Sequence, residues 1–171
     1  MQTSTLKLHS LSYNQSKTFL LALAFVAGNI ILPQLCHVVP QGGFIFLPIY
    51  FFTLIASYKY GWRVGLLTAI LSPVANHLLF SMPSAAVLPA ILTKGVLLVA
   101  AASAAAHYFK RISLPILVGV VLSYQVLGSA IEWVMLADFN LAIQDFKLGI
   151  PGMLLQVLGA HLLINYFMRE K

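Results

Sequence analysis

Charge is what this chain has least of. Only 8% of its 171 residues are Asp, Glu, Lys or Arg, where a soluble domain carries roughly 25%. The single cysteine, Cys36, excludes an internal disulfide. No G-x-x-x-x-G-K-S/T loop is present, which excludes ATP hydrolysis by the usual P-loop. H-E-x-x-H, G-x-S-x-G and paired-Asp patterns are also missing, and one carboxylate inside an apolar helix is not a catalytic constellation. The chain is therefore expected not to be an enzyme and to hold no cofactor. Apart from the Ala-rich run AAASAAA (100–106), no repeat or low-complexity segment stands out.

What fills the chain is apolar: 60% of residues are hydrophobic, and the mean hydropathy is +0.92. Six stretches, near 18–35, 44–59, 62–80, 86–108, 113–136 and 148–168, are each about long enough as a helix to cross the ~30 Å of a bilayer's hydrocarbon. The expected fold is an all-α membrane protein, a compact bundle of six transmembrane helices over residues 18–171. The polar stretch 1–17 reads as a short cytoplasmic tail. Pro89, Pro115 and Pro151 fall in first helical turns, where a missing N–H is harmless. Pro48 and Pro73 lie deeper and predict a kink or break in spans two and three.

Basic residues set the orientation. If six helices alternate, Lys7, Lys17, Lys59, Arg63, Lys110, Arg111, Arg169 and Lys171 share one side, while the opposite loops hold only Lys147. That bias places both termini in the cytoplasm. The net charge of +6 is thus explained by membrane orientation, not by nucleic acid.

Lys94 belongs to neither side. It lies in span four, about eight residues or ~12 Å from the outer end, and Glu132 lies ~6 Å from the outer end of span five. Ionisable residues inside a membrane are costly and mark functional sites by default. Asn76, His77 and Gln156 fall in the same outer half, giving five polar side chains from four helices. Gln125, Ser129 and Glu132 share a face of span five, as Thr68, Ser72 and Asn76 do on span three. His161 and Asn165 share a face that is turned away from Gln156. Two readings stay open: Lys94 and Glu132 line a polar cavity, or they only neutralise each other as a structural pair. Asn76 is equally suited to ligand contact or to capping carbonyls freed by Pro73. Gln125 and Gln156 suit either a ligand or interhelical hydrogen bonds.

The first outer loop, CHVVPQGG (36–43), holds Cys36 and His37, both metal-ligand types, with no third ligand near in sequence. Its neighbours Phe44, Phe46, Tyr50 and Phe51 suit stacking on a flat solute or a lipid-facing belt. Small-xxx-small pairs at Ala24/Gly28, Gly61/Gly65, Ala101/Ala105 and Ala102/Ala106 permit close helix approach. The pair on span one also suits an external face for a partner helix.

In YKYGWRVGLLTAILSPVANHLLFSMPS (58–84) and LPAILTKGVLLVAAASAAAHYFKR (88–111), the chain resembles the substrate-binding (S) components of energy-coupling factor vitamin transporters. The first segment opens with Gly-x-x-x-Gly after a short cytoplasmic turn; the second is Pro-headed, Ala-rich and ends in basic residues. The family's Ala-x-x-x-Ala signature on the first span, which docks the coupling subunit, has Gly28 in its second place after Ala24. The resemblance implies a multi-pass protein of the cytoplasmic (inner) membrane that binds a vitamin or related micronutrient from the outer side. It also implies a transmembrane coupling subunit and an ATPase pair as partners. On that reading Lys94, Glu132, Asn76, His77, Gln156, Gln125 and Tyr50 contact the substrate, Lys94 through an anionic or carbonyl group. The alternatives are a structural or assembly subunit, and a solitary S component binding a corrinoid.

Overall fold

The computed structural model describes residues 11–169, and all its regular elements are helical. Most of the expected polar tail, with Lys7, and the terminal Lys171 lie outside the described residues. Among the described residues nine α-helices follow one another: α1 (Ser16–Cys36), α2 (Gly42–Phe46), α3 (Phe51–Tyr60), α4 (Trp62–Phe80), α5 (Leu88–Phe109), α6 (Leu114–Leu136), α7 (Phe139–Ala142), α8 (Gln144–Leu148) and α9 (Ile150–Arg169). Five stretches are long and apolar enough to cross a membrane, with α2–α3 as one of them. A sixth arises if the pair Phe139–Leu148 and Ile150–Tyr166, bent by 48°, makes one span.

Span two is broken, as Pro48 predicts. Leu47 sits at φ 46°, in the left-handed region, and a 3-10 turn at Pro48–Tyr50 leads into α3. Proline disfavours helical geometry in the residue before it, so the break falls at Leu47. By contrast, α4 runs through Pro73 unbroken. The C-terminal piece, α3, is the centre of the bundle: eight of its ten residues are buried. Leu54, Ile55 and Tyr58 of α3 form one core with Leu98 of α5, Tyr124 of α6 and Ile164 of α9. A helix buried all round must satisfy its own hydroxyls: Thr53 and Ser57 donate to the Ile49 and Thr53 carbonyls, at 3.2 and 2.6 Å.

Gly61/Gly65 serves internal packing. Gly61 turns the chain at φ 90°, and a Cβ at Gly65 would meet the Ser57 backbone at 3.0 Å. The two residues of the Ala24/Gly28 pair differ in their surroundings. Ala24 is exposed, but a Cβ on Gly28 would lie 2.8 Å from the Phe52 ring. The notch at Gly28 is filled from within by this chain's own phenylalanine.

Candidate functional site

One end of the bundle gathers the C-termini of α1, α4 and α6, the N-terminus of α5, and the short helices α2, α7 and α8. It holds a cavity of about 510 Å³ with Tyr50, Asn76, Glu132 and Asp145 in its wall. A volume in this range suits one small organic solute.

Lys94 comes down α5 into this end and is 1% exposed. Its ammonium lies 2.5 Å from Glu132 Oε2 and 2.7 Å from Asp145 Oδ2. The Asp145 contact has hydrogen-bond geometry, while that to Glu132 is a close ion pair without such alignment. Room for the lysine stem comes from Gly128, one turn before Glu132 on α6: a Cβ there would lie 2.5 Å from Lys94 Cγ. Lys94 is thus caged by two carboxylates, and it is the carboxylates that reach the cavity wall.

Asp145 is a residue of the candidate site that the sequence does not single out. The stretch 137–147 reads as a polar loop, yet it folds into α7 and α8. Asp138 caps α7 by accepting from the backbone N–H of Asn140 and Leu141, at 2.8 and 3.2 Å. Ala142 is fully buried beneath. That capping Asp and the apolar residues between the polar ones were the available signal.

Asn76 caps a carbonyl freed by a proline, though by Pro33 and not by Pro73. Its amide nitrogen donates to the Asn29 and Ser72 carbonyls, both at 2.9 Å. The Asn29 carbonyl is the one left without an intrahelical donor by Pro33 in α1, four residues on. The other end of the amide, Oδ1, is buried without a partner in a residue of the cavity wall. Asn29 itself is a second unforeseen residue: its amide donates to Thr53 and Ser72 hydroxyls at 3.0 and 3.2 Å. It also accepts from the backbone N–H of Phe52 at 3.3 Å, capping the start of α3. This buried knot ties α1, α3 and α4 together and fixes the turn that carries Tyr50. The Tyr50 ring packs on Tyr124 with centroids 5.3 Å apart, and its hydroxyl has no partner.

Three expected ligand contacts are placed elsewhere. The Gln156 amide accepts from the Tyr124 hydroxyl at 3.0 Å and donates to the Leu47 carbonyl at 3.4 Å, splinting the break in span two. His77 Nδ1 lies 2.7 Å from the Pro83 carbonyl; as that oxygen only accepts, Nδ1 carries the proton and donates. Gln125 is fully buried with neither amide atom partnered, and it is off the cavity wall; nothing in its surroundings explains why an amide stands there. His37 is on the wall and Cys36 is not, so the two do not converge. Among the described residues no three His, Cys, Asp or Glu are grouped to hold a metal. His161 and Asn165 pair with each other at 3.1 Å, as their shared face predicts.

Gln156→Leu should therefore lower stability by about 1–3 kcal/mol, the cost of leaving a buried hydroxyl and carbonyl unpaired. Unfolding in detergent measures this. A variant of unchanged stability that lost solute affinity would return Gln156 to the site.

Compared with family models, curated proteins and solved structures, this chain matches none of them.

Proposed function

We propose that this chain is the solute-binding subunit of a membrane uptake system, capturing a vitamin-like micronutrient from the outer side. The observation that carries the reading is the cavity, whose wall joins two carboxylates to buried polar groups that have no partner among the described residues. Buried polar groups are nearly always hydrogen-bonded, so their absence of partners here fits a site awaiting a polar ligand. Lys59, Arg63, Lys110 and Arg111 lie at the opposite end of the bundle, which by the positive-inside bias makes the cavity face outward. Energy for release would come from a separate coupling subunit with its ATPase pair, because the chain has no P-loop of its own.

A second reading has its own observation. Both carboxylates already hold Lys94, and a cluster joining α5, α6 and α8 is also what a purely structural lock would need. Mass spectrometry of small molecules that co-purify with the detergent-solubilised protein separates the two. A stoichiometric solute, lost in Asp145→Asn, is the expected result. A wild-type protein that carries none, and takes none up from a mixture of water-soluble micronutrients, would leave the structural reading.

A further inference from the structure

We infer that the solute is a cation: a small amphipathic molecule bearing an ammonium or protonated ring nitrogen, held by Asp145 and Glu132. The inference rests on the solute-binding reading and names the class of solute. It also departs from the role expected for Lys94, contact with an anionic or carbonyl group.

Three observations carry it. First, the cluster of Lys94, Glu132 and Asp145 has a net charge of −1 when all three are ionised. Second, its parts are unequally placed. Lys94 is off the cavity wall, whereas both carboxylates are on it. An ammonium has three donors, while two carboxylates present four oxygens with more than one lone pair each, so acceptor capacity remains on the cavity side. A second cation can complete the cluster without displacing the first. Third, further wall residues supply polar atoms independent of the cluster. Asn76 Oδ1 and the Tyr50 hydroxyl are buried and unpartnered, in residues only 2% and 3% exposed. Asn76 Oδ1 can only accept, and the hydroxyl can accept as well as donate. Among the buried atoms of the wall, Gln34 Nε2 is the one unpartnered dedicated donor. Acceptors thus predominate among these buried atoms, which suits a donor-rich, positively charged solute.

The rest of the wall limits the solute's shape. Leu47, Pro48, Ile49 and Ile91 are apolar, and Phe44 adds a half-exposed ring suited to a cation or a flat apolar body. An anion would meet the two carboxylates with Lys94 already engaged, and like charges in a desolvated site repel strongly.

The test uses three probes of one shape and different charge: tryptamine (cationic), indole-3-ethanol (neutral) and indole-3-propionate (anionic). Binding to the full chain in lipid nanodiscs is measured by calorimetry, beside the charge of any co-purified solute. Tryptamine is expected to bind best. Asp145→Asn, which keeps the shape and a hydrogen bond to Lys94, should weaken tryptamine about ten- to hundred-fold, the usual worth of a charged hydrogen bond. The same variant should leave indole-3-ethanol within about two-fold. Equal affinities, a preference for indole-3-propionate, or an Asp145→Asn loss shared equally by all three probes overturns the cationic assignment and leaves solute binding standing. If no probe binds, the co-purified solute decides: a cationic one supports the assignment, and a neutral or anionic one overturns it. No binding and no co-purified solute overturns both readings.

Discussion

Lys94→Met should destabilise the protein by about 3–5 kcal/mol, the usual result of removing one partner from a buried ion pair. Two carboxylates, Glu132 and Asp145, would be left facing each other across the place of the ammonium. Proton uptake would limit the cost to this range, since a bare charge in an apolar interior costs far more than a shifted protonation. Equilibrium unfolding in detergent measures the loss. Lys94→Met with Glu132→Leu, which would be neutral if the pair were isolated, should remain destabilised because Asp145 stays unpaired. Adding Asp145→Leu should recover most of the stability, as apolar replacements of buried ionic clusters often do. That triple variant is expected to fold and to bind no solute. Full binding by the triple variant would reduce the cluster to a lock between helices.

The other large effect is expected at a glycine. Gly128→Leu puts a branched side chain where the Lys94 stem now lies, since even a Cβ would come within 2.5 Å of Lys94 Cγ. The lysine must swing away, so overpacking adds to the loss of both ion pairs. A loss of at least about 3 kcal/mol follows, together with loss of solute binding. Gly119, on the same helix, is the control because a Cβ there meets nothing within 4 Å. Gly119→Ala should be neutral or slightly stabilising, by up to about 1 kcal/mol, through lower backbone entropy in the unfolded chain. If the two substitutions had similar effects, the space above Gly128 would not be what seats Lys94.

Several parts of the site were legible because they follow from one-dimensional rules. Lys94 and Glu132 stand out as charges in apolar runs, and a 1.5 Å rise per residue places them at similar depth. The break in span two follows from Pro48, and the close approach at Gly65 from its small-xxx-small spacing. Tyr50 and Asn76 were in the expected set and do reach the cavity wall. Gln156 and His77 were indistinguishable from ligand contacts because depth says nothing of azimuth. Each instead meets a backbone carbonyl made available by a nearby break or turn, Leu47 for one and Pro83 for the other.

From the residues alone it follows that the chain is built of apolar helices of membrane-spanning length, with one lysine and one glutamate inside them. Composition and helical rise are enough for that, because they are local properties. The balance of charge, by contrast, depends on which distant segments meet in space. Asp145 lies 51 residues from Lys94, on a segment that looks like a solvated loop. Its arrival depends on α7 and α8 folding back over α6, and on Gly128 leaving space for the lysine beneath. Contacts between segments so far apart obey no periodicity that a single sequence displays. A pair that read as neutral became a cluster with one negative charge to share.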